Sequence, residues 1–221
     1  MKHIIHFFAG LCILALLQSF AAAEMKETWL DTLDMTKSRC GYNRTQSRRT
    51  VEGNPLSVGG EKFERGVGTH TPGEISIAVD PVPGKFTAKV GIDDEVGNRG
   101  HAEFLVYAEE ELLWRSGFMV GGEAAKDCHV EFNEIGLLRL VVDTGPEGYA
   151  HDHTDWLDAK IFTEGKDPVT TPATAVLRDH DGKIVNRMDE NAAEWLSLVR
   201  QIASGMQDHI KKAALHPGKS F

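Results

Sequence analysis

The chain has 221 residues, of which 41% are hydrophobic, and its mean hydropathy is -0.28. These values exclude a multi-span membrane protein and a wholly disordered chain. The 24 Lys and Arg against 33 Asp and Glu give a net charge of -9, which argues against nucleic-acid binding through a basic face. The 22 glycines among 221 residues exceed the average glycine content of about 7%, and they favour an all-β domain with many turns.

Residues 1–23 have the pattern of a secretory signal peptide. Lys2 is followed by an apolar run over residues 4–17 and by the small residues Ala21–Ala23. The alternative is a membrane anchor, but the run is shorter than the roughly 20 residues that span a bilayer. We therefore expect cleavage before Glu24, a secreted or periplasmic protein, and no stable membrane span afterwards.

Short strands and glycine-rich turns follow over residues 24–164. Apolar residues alternate with polar or small ones in three segments, at residues 74–80, 86–92 and 128–132. A fourth segment, residues 137–142, is a nearly continuous apolar run. Alternation indicates half-buried antiparallel strands, and the continuous run indicates a strand buried on both faces. This pattern predicts an all-β fold, an antiparallel β-sandwich or jelly roll.

The last part of the sequence differs from the rest. Residues 165–175 have the composition of a linker, and residues 176–221 are predicted to hold a short hairpin followed by one helix. The helix, over residues 190–213, has an apolar stripe made of Trp195, Val199, Ile202, Met206 and Ile210. A single helix cannot bury such a stripe alone, so its partner is the sandwich, a second copy or another protein.

Two cysteines remain once residues 1–23 are removed. Cys40 and Cys128 could pair in an exported protein, or they could be two buried free thiols. The sequence leaves both alternatives open.

The densest polar cluster, residues 149–156, allows three interpretations. His151, His153 and Asp155 resemble a zinc-hydrolase run, although Trp156 replaces its final histidine and no α/β pattern surrounds it. Asp152 and His153 could instead satisfy each other or the backbone while Trp156 packs in the core. The third interpretation is a sugar site, because carboxylates and histidines bracket hydroxyl groups and a Trp ring covers the apolar face of a sugar.

Two further segments carry candidate polar residues. The acidic loop at residues 92–100 could contribute to a sugar site, form a solvated turn or bind structural calcium. His70, at the end of a glycine-rich turn, could be a ligand contact or a structural histidine. No Ser/His/Asp elbow, phosphate loop or zinc-ribbon pattern occurs, and a glycosidase-type carboxylate pair cannot be judged before the fold is known.

Three segments in order, residues 53–70, 90–100 and 152–160, together resemble the NPCBM family, a novel putative carbohydrate-binding module often attached to glycoside hydrolases such as α-galactosidases. The resemblance covers about residues 27–163. It implies a galactose-binding-like β-sandwich that binds sugar without catalysis or cofactor, with galactose-containing glycans as a recurring ligand. Asn43 departs from a Gly of the family pattern, and Thr71 and Thr154 stand where Ala is common.

The matching positions give a set of candidate ligand-binding residues: His70, Asp94, Glu95, Asn98, Arg99, Asp152, His153 and Trp156. Our hypothesis is an exported, non-catalytic module that binds galactosides. The alternatives are an accessory or front part of a glycoside hydrolase, and a protein-interaction scaffold that has lost sugar binding and docks a partner through the helix at 190–213.

Overall fold

The computed structural model describes residues 25–146 and 148–173, and the backbone of two further strands at 176–178 and 184–187. Fifteen strands lie in these segments: β1 Lys26–Trp29, β2 Gln46–Ser47, β3 Leu56–Val58, β4 Glu61–Phe63, β5 Gly66–His70, β6 Gly73–Ala78, β7 Gly84–Ile92, β8 His101–Ala108, β9 Glu111–Val120, β10 Lys126–Phe132, β11 Leu137–Thr144, β12 His153–Thr163, β13 Val169–Thr171, β14 Val176–Arg178 and β15 Ile184–Arg187. Three 3₁₀ turns, Leu30–Thr32, Met35–Lys37 and Asp94–Val96, are the helical elements of the described part.

Two antiparallel sheets form the sandwich. Sheet A has the strand order β10-β7-β12-β5-β2, with β1 also paired to β12, and sheet B has the order β13-β6-β11-β8-β9. The inner faces meet in one core, in which the Trp156 ring contacts Phe86 and Phe104 edge-to-face at centroid distances of 5.9 and 5.3 Å. The predicted all-β antiparallel sandwich is confirmed.

A small hairpin, β3–β4, lies against the outer face of sheet A. Leu56, Val58 and Phe63 of this hairpin form a second apolar cluster with Leu157 of β12. The hairpin approaches β7 closely at Gly91, where a Cβ would lie 2.3 Å from Val58 Cγ1. The absence of a side chain at Gly91 therefore permits this layer.

The four longest predicted strands correspond to β6, β7, β10 and β11. Within the predicted linker at 165–175, β13 pairs with β6 and extends sheet B, with Thr170 opposite Ile77. The C-terminal hairpin is present as the antiparallel pair β14–β15. The predicted signal peptide at 1–23 and the helix at 190–213 lie outside the described residues.

The sequence leaves open whether Cys40 and Cys128 pair, and in the structure both are free cysteines. Cys128 lies in the core between the sheets, and burial raises the pKa of its thiol to about 12. Cys40 is half-buried in the loop before β2, where its Sγ lies 2.9 Å from the Tyr42 carbonyl oxygen. Of the two alternatives, the structure therefore has the free thiols.

Within the described segments, no helix is long and apolar enough to cross a membrane.

Candidate functional site

A pocket of about 410 Å³ opens at one end of the sandwich. Its walls come from the loop before β2, the loop between β2 and β3, the end of β5, and the loop between β11 and β12, and its lining residues are Gly41, Tyr42, Glu52, His70, Tyr149, Ala150, His151 and His153. His70 and His153 are brought together because β5 and β12 pair with these two residues directly opposite each other.

Three rings form the wall of this pocket. Tyr42 is stacked on His153 with an interplanar angle of 16° and a centroid distance of 6.2 Å, and it contacts His70 at 5.5 Å. The two histidine rings contact each other edge-on, also at 5.5 Å. Tyr42 is 49% exposed and its phenol is hydrogen-bonded to Glu52, an interaction that raises the pKa of the phenol. The wall therefore offers an exposed aromatic surface beside two imidazoles.

The hydrogen-bond partners of both histidines assign their tautomers. His70 Nδ1 lies 2.6 Å from the Thr71 carbonyl oxygen, and His153 Nδ1 lies 2.6 Å from Glu95 Oε1. Both partners accept hydrogen bonds, so Nδ1 carries the proton in each ring and Nε2 of the neutral ring is an acceptor. Burial lowers the pKa of His70, which keeps that ring neutral at pH 7.

Glu95 connects the pocket to a hydrogen-bonded frame. Its Oε2 accepts hydrogen bonds from Thr50 Oγ1 and Asn54 Nδ2, both at 2.8 Å, while Oε1 accepts a hydrogen bond from His153 Nδ1. The Asp93 side chain caps this turn by accepting from the Glu95 backbone N–H at 2.8 Å. Glu95 thus orients His153, and it lies behind the pocket wall.

Asp94 lies on the side of the same turn that faces the β3–β4 hairpin. Its Oδ2 accepts hydrogen bonds from Ser57 Oγ at 2.5 Å and from the Gly60 N–H at 2.9 Å. These bonds hold the hairpin turn in place. Among the described residues, no group of three or more His, Cys, Asp or Glu side chains is placed to hold a metal ion.

Asn98 and Arg99, the two remaining candidates of this loop, are both exposed but differ in their position relative to the pocket. Arg99 donates from Nη1 to His151 Nε2 at 3.3 Å and from Nε to the Val96 carbonyl at 3.0 Å, so it braces the rim of the pocket. Asn98 is exposed and is not among the residues that line the pocket.

Trp156 and Asp152 are candidate ligand contacts in the sequence, but the structure argues against direct contact. Both residues have 0% exposure. Trp156 fills the core between the sheets. Asp152 accepts hydrogen bonds from Thr71 Oγ1 at 2.6 Å and from the His101 N–H at 2.8 Å, and thereby ties two loops together beneath the pocket. Neither side chain has surface left for a sugar.

A buried carboxyl pair lies behind the frame. Asp155 is fully buried, and among the described residues no donor is directed at either of its oxygens. Burial, followed by the hydrogen bond with Asp93, raises the pKa of Asp155 well above its usual range, and burial also raises the pKa of Asp93. Asp155 is therefore the protonated partner, and its O–H donates to Asp93.

The departures from the family pattern have a local explanation. Asn43 has a φ of 54°, a left-handed conformation that Asn tolerates better than most residues other than Gly. Thr71 supplies a buried hydrogen bond to Asp152, and Thr154 Oγ1 donates to the Thr69 carbonyl oxygen at 3.2 Å. The three substitutions are compatible with the fold.

The sequence-based set of candidates did not include Tyr42, Glu52, Tyr149 or His151. Tyr42 and Tyr149 are exposed aromatic residues in polar loops, at 49% and 64%, and that combination in the sequence is the signal that could have indicated them. Glu52 has no comparable signal, since its role depends on the position of Tyr42. Of the predicted candidates, the structure places His70 and His153 in the pocket, Glu95 and Arg99 behind or beside it, and the rest elsewhere.

Two antiparallel sheets with a loop-built pocket lined by aromatic rings define a β-sandwich binding module. Residues 26–162 match the model of the NPCBM/NEW2 domain. The chain belongs to this family, and it has the fold of a carbohydrate-binding module.

Known relatives agree with that assignment. Alpha-1,3-galactosidase B of Akkermansia muciniphila is 35% identical over 138 residues, which are 61% of this chain but only 17% of that enzyme. Among solved structures, the CBM51 of a GH95 protein of Clostridium perfringens in complex with methyl-galactose is 28% identical, with a TM-score of 0.57 over 62% of this chain and 99% of that one. The CBM51-2 and INT domains of Clostridium perfringens ZmpB, in complex with GlcNAc, are 30% identical, with a TM-score of 0.58 over 62% of this chain and 32% of that one.

Proposed function

We propose that this protein is an exported, non-catalytic module that binds glycans ending in galactose, and that the pocket beside Tyr42 is the binding site. The observation that carries the proposal is the ring cluster of Tyr42, His70 and His153 at the opening of the pocket. Support from relatives comes from the methyl-galactose bound to one CBM51 and from the name of the related galactosidase.

The chemistry of the pocket fits a hexose with an axial hydroxyl. Such a sugar has one apolar face of C–H groups, which an exposed Tyr ring can cover, and neighbouring hydroxyls at the opposite edge. The neutral His70 imidazole offers an Nε2 acceptor for a hydroxyl proton, the His153 imidazole lies beside it, and the Glu52 carboxylate offers further acceptor capacity. We assign the stacking to Tyr42 and the hydroxyl contacts to His70 and His153, with Glu95 and Arg99 as positioning residues.

The carboxylates near the pocket favour binding over hydrolysis. Asp93 and Asp94 are held by hydrogen bonds from the chain, and Asp152 and Asp155 are fully buried. A pair of accessible carboxyl groups flanking a glycosidic bond, as retaining and inverting glycosidases require, is not formed by these four residues, and Glu52, which lines the pocket, is hydrogen-bonded to Tyr42. An accessory role beside a glycoside hydrolase is consistent with the small share of the related galactosidase that this chain matches.

The direct test is the affinity of Tyr42 variants for galactose and methyl-galactoside, measured by titration calorimetry. Tyr42→Ala should weaken binding about tenfold or more, since it removes the stacking surface, which corresponds to about 1.4 kcal/mol. Tyr42→Phe keeps the ring and should lose much less. The matched control is His129→Ala, which removes an exposed ring on sheet A far from the pocket lining. Equal affinity for wild type and a folded Tyr42→Ala variant would remove the pocket from consideration.

A further inference from the structure

The outer faces of the two sheets differ strongly in chemistry. Outward-facing positions of β7 and β10 in sheet A carry polar residues that are exposed or half-buried, namely Lys85, Thr87, Lys89, Asp127, His129 and Glu131. Polar, solvated side chains are the usual outer face of an antiparallel sandwich. The outer face of sheet A, apart from the part covered by the β3–β4 hairpin, therefore has the polar character expected of a solvated surface.

Sheet B has an apolar patch at the centre of its outer face. Leu105 and Tyr107 of β8 and Val141 of β11 form a cluster separate from the main core, with 3%, 7% and 6% exposure. Leu105 and Val141 are direct cross-strand partners, so the patch is continuous across neighbouring strands. Their inward neighbours Phe104, Val106 and Leu140 belong to the core, which places the patch on the opposite face.

A buried ion pair borders the same patch. Arg139 and Glu74 are only 2% and 1% exposed and are joined by two hydrogen bonds, at 2.9 and 3.1 Å. Removing two charges from water carries a large desolvation cost, so such a pair is not expected on an open sheet surface. Both the apolar cluster and the ion pair are buried, so this part of the outer face differs from the solvated surface that an antiparallel sandwich usually presents.

We propose that the outer face of sheet B is the docking surface of the chain's own C-terminal segment, with the predicted helix at 190–213 lying on Leu105, Tyr107 and Val141. The chain leaves the sandwich at β13, which is the edge strand of this same sheet. A helix over residues 190–213 has a length of about 36 Å, more than enough to cross a five-stranded sheet about 20 Å wide. The apolar stripe of Trp195, Val199, Ile202, Met206 and Ile210 matches the apolar chemistry of the patch.

Photo-cross-linking in the full chain tests this assignment. A benzophenone amino acid is placed at Leu112 or at Phe118, which are 40% and 53% exposed and pair with Tyr107 and Glu103 of β8 on the same face. Both probes should cross-link to peptides from residues 190–213 of the same chain. The same probe at His129, on the outer face of sheet A, is the control and should not.

A pair of helix variants separates docking from chance proximity. Ile202→Asp puts a charge into the apolar stripe and should lower the cross-link yield at least fivefold, whereas Ser204→Asp puts the same charge on the opposite side of the predicted helix and should leave the yield unchanged. Cross-links that join two chains would assign the face to a second copy and overturn the proposal. So would the absence of cross-links to 190–213 from both probe positions, or equal yields in the two variants. None of these outcomes depends on sugar binding.

Discussion

At the scale of single residues, Asp155 shows how a polar group can be essential to a site's frame without touching a ligand. Its side chain lies on the face of β12 opposite Trp156, yet it is fully buried, so no water solvates a charge there. Protonation removes the charge, and the neutral carboxyl of Asp155 donates a hydrogen bond to Asp93. Asp93 in turn accepts hydrogen bonds from the backbone N–H groups of Ser57 and Glu95. The proton on Asp155 thus supports the turn that positions His153.

This arrangement predicts a specific pH dependence of the free energy of unfolding. Because the pKa of Asp155 is raised in the folded state, its contribution to stability is complete below the unfolded-state value of about 3.9 and is lost as the pH rises through the folded-state pKa. The loss is at most about 1.4 kcal/mol per pH unit. Asp155→Asn keeps a donor for Asp93 and does not titrate, so it should be more stable than wild type at pH 7, with a difference that shrinks toward pH 4.

Urea denaturation of the two proteins between pH 4 and pH 8 measures this difference. Asp31 and Glu74 have pKa values that are lowered in the folded state, so their effect on stability runs in the opposite direction. Subtracting the free energy of unfolding of the wild type from that of the variant removes their contributions. A difference that does not change with pH would mean that Asp155 is not protonated in the native protein.

At the scale of the elements, prediction from sequence succeeded for strands of six or more residues, although β6, which the alternation predicts to be half-buried, is buried over five consecutive residues. The alternating segments that became β6, β7 and β10 each have one face in the core, and the continuous run that became β11 is buried over Leu138–Val142. The short strands β2, β3, β4 and β13 have two or three residues each, too few for periodicity to appear. β3 and β4 pair with each other as a local hairpin, whereas β2 and β13 depend on pairing with β5 and β6, which are distant in sequence.

The candidate site was predictable to the extent that it lies on such strands. His70 and His153 end β5 and begin β12, and their segments matched the family pattern, so the sequence indicated both. Tyr42 lies in a loop, where its place over His153 depends on the fold of residues 41–52. Trp156 was misassigned because alternation alone does not say which face of β12 points inward.

The β3–β4 hairpin gives a prediction at this scale. Gly91→Ala would put a Cβ 2.3 Å from Val58 Cγ1, so the hairpin must move away from sheet A and loosen its cluster with Leu157. We expect a loss of about 1–3 kcal/mol, typical of overpacking. Gly136→Ala is the matched control, since its nearest contact would be Glu109 Oε1 at 3.4 Å. Chemical denaturation measures both, and equal stabilities would show that the hairpin is not held against Gly91.

At the scale of the whole molecule, the pocket is built by loops that converge at one end of the sandwich. Its walls follow β5 and β12 of sheet A, and one of them is the loop that arrives from β11 of sheet B. Asp152 reinforces this junction by joining the Thr71 hydroxyl to the N–H of His101, the first residue of β8. A ligand in the pocket therefore contacts segments anchored in both sheets, so its binding depends on the folded sandwich.

Sugar binding should accordingly raise the stability of the entire domain. A ligand that binds only the folded state at 100 times its Kd adds about 2.7 kcal/mol to the free energy of unfolding, which for a domain of this size raises Tm by roughly 5–10 °C. Calorimetric scans with increasing methyl-galactoside should show this rise for wild type and for His129→Ala, and a much smaller rise for Tyr42→Ala at the same concentrations. A glucoside, which differs in the orientation of one hydroxyl, is the control ligand. A Tm that stays constant up to high galactoside concentrations, or that rises equally with both sugars, would contradict the assignment of this pocket to galactose.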